Sequence, residues 1–448
     1  MSESRVNTVA TDDPDQVRQV KSTDRSERIV SARRRWEVVA AVVVVSFLTI
    51  LARVQISGAK VEMARALKVD DVTFGLIFGA FAFGYAVFMV PCGLLADRWG
   101  PRKSLTLSVL SWSVFTLCTG LVTGVVTLVA IRFLFGLGEA GVFPQATRAL
   151  HNWTLPRERG LALGLLNMGS RLGAAVGLAI TPLSVERLGW RQSFLALGIV
   201  GLIWAAIWFG RFRDRPESNS DREPNILLNL EADTPPATNG RALMRAFLSS
   251  RNSYLIIYEY FASQFTFFIC LSWLLPFAKT RYGISTSQAG FYASIPLYCG
   301  ALAMWSGGVV VDRIYQAGRW KLSRVLTPIM GFALATASML PAPFMHSVGW
   351  FVACFALTTF GLDFTVSASW TVCCDVGGRY SGTLSAAMNT AGALGSLASA
   401  LLFPILIRWA GNITLYFYVA ALLNAIALGS WIFMEPSTPL RVERRPVG

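Results

Sequence analysis

Apolar residues fall along the chain in long blocks, without the strict alternation of a strand or the heptads of a coiled coil. Twelve such blocks are readable, at about 36–59, 74–95, 104–123, 126–149, 160–184, 191–211, 253–278, 288–311, 323–341, 347–371, 382–407 and 413–434. Each is close to the roughly 20 residues that a helix needs to cross a bilayer. The pattern predicts an all-α membrane protein with twelve transmembrane helices. Polar residues are confined to short connections, a tail at 1–35, a tail at 435–448 and one long interior segment at 212–252. That segment contains "RDRPESNSDREPN" and "EADTPPATNG", a composition that predicts a linker. A short interfacial helix is expected at 241–250, and the linker separates bundles at 36–211 and 253–434.

The two halves repeat each other. Sliding the chain by 215 residues lays Gly75 on Gly290, Gly93 on Gly308, Asp97 on Asp312 and Arg98 on Arg313. The last three pairs lie at the end of the second span of each half, in "GLLADRWGPRK" and "GGVVVDR". Two parallel six-helix repeats are a transporter architecture, with the substrate held between them near the midplane. The loop residues Gly93, Asp97, Arg98, Gly100 and Arg102, with Gly308, Asp312 and Arg313, are expected to form a gate. The glycines would allow close helix approach. The aspartates would pair with a cation or cap the next helix. The bland reading is a tight loop carrying topology signals.

Composition agrees with the pattern, since 54% of residues are hydrophobic and only 15% are charged, against about a quarter charged in soluble domains. The net charge of +14 would suit a nucleic-acid binder, but the cations do not form one patch. With an even number of spans, the tails and even-numbered loops hold 29 of the 40 Lys and Arg, the opposite loops 8 and the spans 3. That bias puts both termini in the cytoplasm, and a bacterial inner membrane is the expected location. The first apolar block is long and lacks a cleavage pattern, so no signal peptide is expected. The seven cysteines show no metal spacing and read as reduced packing residues. No nucleophile–base pair or phosphate-cradling loop appears, so neither enzyme chemistry nor a cofactor is expected.

The three cations within spans carry the functional argument. Val38 to Ala52 is an apolar run of only 15 residues, too short to cross about 30 Å of hydrocarbon at about 1.5 Å per residue. The helix must continue to around Ala59 and embed Arg53. Arg132 and Glu139 lie seven apart on the fourth span and so share a face. "GLGEAG" leaves room there for a helix or a ligand. Arg171 lies mid-way along the fifth span, flanked by Gly169 and Gly173, where it would line the cavity or brace the fourth helix. Charge facing lipid is costly, so these residues should face the interior. Three arginines against one glutamate leave two cations uncompensated in the N-terminal half. A bound organic anion would neutralise them, and a carboxylate fits the guanidinium fork. Glu139, between a dry cavity and arginine, is suited to carry a proton. Asp363, on the tenth span, is a second proton or cation site or else a packing aspartate. Glu259 is expected near the cytoplasmic mouth, and Asp375 is expected to pair with Arg379.

The loop motif Gly93-x-x-x-Asp97-Arg98-x-Gly100-x-Arg102-Lys103 resembles that of the major facilitator superfamily. Within it the chain is similar to the anion:cation symporters, on Arg53 in "LARVQIS", Tyr85 in "FAFGYAVF", "RFLFGLGEAGVFP", "GSRLGAA", "GWRQSF" and "DVGGRYSGTLSAAMNTAG". The resemblance implies a major facilitator fold and a proton site at Glu139. Two departures stand out. Ala52 occupies the place of an aspartate found in many sugar-acid members, and Ser263 that of an arginine in glutamate-carrying relatives. The C-terminal half therefore offers hydrogen bonds, from Tyr260, Gln264, Asn389 and Ser385, while Tyr85 would donate to the substrate.

The expectation is a monomeric, proton-coupled symporter of a small organic anion in the lipid bilayer, binding through Arg53, Tyr85, Arg132, Arg171, Tyr260, Gln264 and Asn389. Glu139 and Asp363 are the coupling candidates. The alternatives are a proton-driven drug efflux carrier, which would want an acidic cavity, an organophosphate exchanger, which would want arginines in both halves, and a membrane sensor. Sodium coupling would need clustered oxygen ligands.

Overall fold

The computed structural model describes residues 14–214, 240–272, 281–284 and 286–440. Most of the expected linker and the outer parts of both tails lie outside them. The helices are α1 (Pro14–Gly58), α2 (Lys60–Leu67), α3 (Asp71–Trp99), α4 (Pro101–Leu121), α5 (Val125–Ala140), α6 (Val142–Trp153), α7 (Arg159–Leu188) and α8 (Trp190–Arg211). After the undescribed segment come α9 (Gly240–Ser249), α10 (Arg251–Ser272), α11 (Thr286–Gln316), α12 (Trp320–Met339), α13 (Val348–Gly377), α14 (Ser381–Ala410) and α15 (Thr414–Ile432). Ten stretches are long and apolar enough to span a membrane, and one of them, Val348–Ala410, is two helices, α13 and α14. With α10, whose 22 residues lead into an undescribed segment, the crossings number twelve among the described residues.

Two expectations need adjusting. The polar N-terminal tail is helical from Pro14 onward, as a continuation of α1. The fourth span is broken at Gly141 into α5 and α6, with Pro144 in the first turn of α6, where its missing N–H costs no hydrogen bond. The short α9 falls where the interfacial helix was expected. Helix α1 does run on through Arg53 to Gly58, as the shortness of its apolar run required.

The halves pack by one scheme. In the first, α1 lies along α7, α3 along α5 and α4 along α8; in the second, α10 lies along α14, α11 along α13 and α12 along α15. The halves meet through α3 on α14 and α7 on α11, which are symmetry-related contacts. Small residues permit these approaches. A β-carbon on Gly93 would stand 2.7 Å from the Gly382 carbonyl oxygen, and one on Gly308 2.6 Å from that of Gly160. The end of the bundle that carries the Asp97 and Asp312 loops is called the motif face below.

Candidate functional site

At mid-depth α1, α3 and α5 bring three charged side chains together. Arg53 on α1 donates from Nε to Glu139 Oε1 on α5 at 2.8 Å, and its Nη2 lies 2.8 Å from the same oxygen. Glu139 is fully buried, whereas the Arg53 side chain is 29% exposed, so the pair has one dry and one open end. Glu139 Oε2 has no hydrogen-bond partner. Arg132, one helical stripe along from Glu139, is 1% exposed. Its Nε is unbonded, and no acid lies within ion-pair distance of it among the described residues. Aromatic rings cradle both guanidinium groups. Phe81 lies 5.3 Å from Arg53 and 5.1 Å from Arg132, Tyr85 lies 4.6 Å from Arg53, and Phe135 lies 4.4 Å from Arg132. Such faces attract a cation but leave its N–H groups free for a hydrogen-bonding anion.

The local sequence explains this convergence. A β-carbon on Gly136 would stand 2.3 Å from the Phe81 carbonyl oxygen, and one on Gly84 2.3 Å from that of Phe133. Helices α3 and α5 therefore cross at these glycines, which brings Phe81 beside Arg132. The "GLGEAG" stretch makes room for neighbouring helices, since Gly138 abuts Ser111 and Trp112 of α4.

Arg171 does something the N-terminal half alone did not suggest. Gly169 and Gly173 both face α1, where added β-carbons would meet Ser46 Oγ and the Phe47 carbonyl. Position 171 is about 200° round the helix from each, so its side chain points away from α1, toward the other half. There it forms a fork with Asp363 of α13, Nε to Oδ2 at 3.0 Å and Nη2 to Oδ1 at 2.7 Å, and its guanidinium lies 3.6 Å from the Phe267 ring centroid. Gly300 on α11 vacates the space for the carboxylate, because a β-carbon there would stand 2.1 Å from Asp363 Oδ2. The count of two uncompensated arginines is thus corrected to one. Arg53 has Glu139, Arg171 has an acid of the opposite half, and Arg132 has no acid within ion-pair distance among the described residues, feeling Glu139 only from farther along its own helix.

The other predicted polar residues sit around this centre. Asn389 Nδ2 on α14 donates to Tyr85 Oη at 3.1 Å, so that Tyr85 receives a hydrogen bond from the opposite half. Tyr260 and Gln264 on α10 pack against Gly392 of α14, and Trp370 Nε1 donates to Tyr260 Oη at 3.3 Å. Phe143 reaches across from α6 to the Trp370 ring at 6.2 Å. Trp370 is therefore a buried packing residue at the junction. Ser385 bonds its own helix at Gly382, and Ser263 is buried.

At the motif face the two aspartates each cap a helix of the opposite half. Asp97 accepts from the backbone N–H groups of Gly382 at 3.1 Å and Thr383 at 2.8 Å, and from Thr383 Oγ1 at 2.6 Å. Asp312 accepts from the N–H groups of Gly160 at 2.9 Å and Leu161 at 2.8 Å. The expected cap on the following helix is corrected here. The following helix is already started by Gly100, at φ +78°, with Pro101 at its first position. The free amides within reach belong to α14 and α7. Arg148 reinforces the first latch, lying 3.9 Å from Asp97 and donating to the Gly378 carbonyl at 2.9 Å. Asp375 takes Arg159 of the first half at 3.0 Å and Arg324 of its own half at 2.7 Å, not the expected Arg379. Arg98 and Arg313 are exposed and lie outside the latch. Arg102 stays within its half, donating to the Phe209 carbonyl and stacking 4.5 Å from the Phe209 ring centroid. The Arg102 amide donates to Asp214, whose carboxyl burial pushes above its ordinary range.

Residues 42–400 match the family model of the Major Facilitator Superfamily. The chain belongs to that superfamily. It is 31% identical over 409 residues to the probable sulfoacetate transporter SauU of Cupriavidus necator, covering 90% of this chain and 94% of the relative. It is 28% identical over 339 residues to the hexuronate transporter of Bacillus subtilis, covering 73% and 79%. Its fold matches the crystal structure of the transporter FucP in the outward conformation with a TM-score of 0.68 at 14% identity, over 88% of this chain and 98% of FucP. The protein is thus a major facilitator transporter of the organic-anion kind, and not an enzyme.

Sequence reasoning missed three parts of this transporter's centre. Phe81 and Phe267 read as ordinary apolar residues, and Gly300 as one small residue among many. What distinguishes them is the arginine or aspartate packed on each, which only the helix crossings reveal. Trp273 lies outside the described residues.

Proposed function

We propose that this protein imports a small organic anion, a carboxylate such as a sugar acid or a sulfonated acid, coupled to protons by alternating access. The observation that carries the reading is Arg132, a buried guanidinium with no acid in ion-pair distance among the described residues, beside a half-open Arg53. An unpaired buried cation is expensive. An anion that enters from the open side of Arg53 would relieve that cost, and the carboxylates and sulfonates named for the relatives have the matching charge.

The charge bias of the loops supports a cytoplasmic motif face and cytoplasmic termini. The closed latches at Asp97 and Asp312 then describe a conformer shut toward the cytoplasm. Glu139 is the coupling group. Its ion-pair partner is Arg53. A proton on Glu139 removes the charge that holds the Arg53 fork and turns that fork toward the cavity. Arg53 and Arg132 then share the anion, with Tyr85 and Asn389 supplying hydrogen bonds from both halves. The Arg171–Asp363 fork acts as a strap between the halves at the same depth. Asp363 occupies Arg171 much as a substrate carboxylate would, so an incoming anion or a proton on Asp363 would loosen the strap. Tyr260 and Gln264 line the C-terminal side and select the uncharged body of the substrate.

A thermal-shift screen of purified protein against organic acids, including sulfoacetate and hexuronates, tests the reading. Stabilisation by an organic anion at low pH, lost in Arg132→Ala, is the expected result. Stabilisation of the Arg132→Ala variant to the same extent as the parent would overturn it.

A further inference from the structure

Glu259 lies on α10 about 12 Å in from its first residue, Arg251, at 1.5 Å per residue. It is 0% exposed, and neither carboxyl oxygen has a hydrogen-bond partner. No Lys or Arg stands within ion-pair distance of it among the described residues. It is therefore inside the C-terminal half and not at the mouth where the sequence suggested. Its immediate neighbours are the Ser369 hydroxyl of α13 and the Trp431 indole N–H of α15, two donors that face the carboxyl without reaching good hydrogen-bond geometry among the described residues. The Ser369 hydroxyl is committed to the Thr365 carbonyl at 3.2 Å, and Trp431 Nε1 is itself unbonded. The titratable groups close enough to feel a charge at this position are Tyr260 on its own helix and Cys373 on α13. The side chains of the same buried cluster on α14 and α15, namely Leu384, Met388, Ala427 and Trp431, are uncharged.

A carboxylate without hydrogen bonds or a cation costs several kcal/mol to bury. Packing alone does not call for one here, since a leucine or glutamine would fill the space. The neutral acid is the form this surrounding tolerates. The position is also next to the transport centre. Glu259 and Tyr260 are consecutive on α10, and Ser369 and Trp370 are consecutive on α13. One member of each pair faces the core of the half, and the others meet as the Tyr260–Trp370 hydrogen bond at the junction between halves.

We propose that Glu259 is a second proton-binding site, separate from Glu139, loaded while the motif face is closed and emptied to water when that face opens. A change of charge there reaches the substrate cavity through the Tyr260–Trp370 pair. The cycle then moves one more proton than Glu139 alone would carry. The inference rests on the proton-coupled alternating-access reading above but not on the identity of the cargo.

Infrared spectroscopy of the purified full-length protein in lipid, titrated from about pH 5 to about pH 10, is the direct test. The parent should show a protonated-carboxyl stretch that bleaches as pH rises, and Glu259→Gln should lack it. A band indifferent to pH, or one that persists unchanged in Glu259→Gln, would overturn the proposal and leave a merely structural acid. Should Glu259→Gln fail to fold, Glu259→Asp keeps a carboxyl and must shift the band frequency; an unshifted band overturns the proposal equally. With sulfoacetate as probe in proteoliposomes, Glu259→Gln should retain counterflow while accumulation at a gradient of about one pH unit falls about tenfold. Failure of the parent to move sulfoacetate would bear on the cargo alone, because the infrared result is read without it.

Discussion

In the N-terminal half the fourth span carries Arg132 and Glu139, breaks at Gly141, and shares two aromatic-bracketed guanidinium groups with α1. Its counterpart in the C-terminal half, α13, is unbroken and carries one charge at that depth, Asp363, which reaches across to Arg171. The two helices occupy equivalent places in one packing scheme. Their difference teaches that the repeat preserves the frame and divides the chemistry. One half gathers Arg53, Arg132 and Glu139 at the centre, while the other brings hydrogen-bonding side chains there and Asp363, which reaches across to Arg171. A duplicated fold can do this because helix crossings are set by small residues at a few positions, which leaves the interior faces free to diverge.

That division is broken most directly at Arg132. Arg132→Ala should lower anion affinity in counterflow by at least about thirtyfold, in line with the roughly 2–5 kcal/mol typical for truncating a buried charged contact. Arg53→Ala should act similarly, with the added cost of stranding Glu139. If Asn389→Ala or Gln264→Ala had the larger effect, the assignment of charge recognition to the first half would be reversed. Next comes Glu139→Gln, which keeps the shape and removes the titration. Anion exchange should remain within about threefold of the parent, well under the 1.4 kcal/mol that a tenfold change represents, while uptake driven by an imposed pH gradient disappears. Undiminished uphill uptake would remove Glu139 from coupling.

The two latches sharpen the comparison at smaller scale. Asp97 takes three donors and has Arg148 beside it, whereas Asp312 takes two. Cysteine labelling at the motif face should therefore rise about tenfold in Asp97→Asn and less in Asp312→Asn, given about 1.5–3 kcal/mol for a hydrogen bond to a charged group. Equal labelling in both would mean that the symmetric latches carry equal weight. The smallest effect is expected for Tyr85→Phe. The ring stays under Arg53, and only the acceptor for Asn389 is lost, so KM should rise a few-fold, about 0.5–1.5 kcal/mol.

Much of this protein was legible in its sequence. Block length decided the spans, the 215-residue offset decided the repeat, and the short apolar run before Arg53 decided that an arginine lies at membrane depth. Position along a helix is a local property, and the cost of charge in hydrocarbon turns it into a prediction. The pairings were not legible. Arg171 and Asp363 are 192 residues apart, and Asp97 and Thr383 are 286 apart. Nothing in either local segment says which acid an arginine meets, and the near neighbour expected for Asp375 was wrong.

The chain by itself therefore determined that there would be two homologous bundles of membrane helices with cations embedded in the first. The tertiary structure decided which of those cations is left unanswered. Charge compensation acts through space over a few ångströms of low-dielectric interior, and only the crossing of α7 with the second half gives Arg171 its acid, while Arg132 has none in ion-pair distance among the described residues.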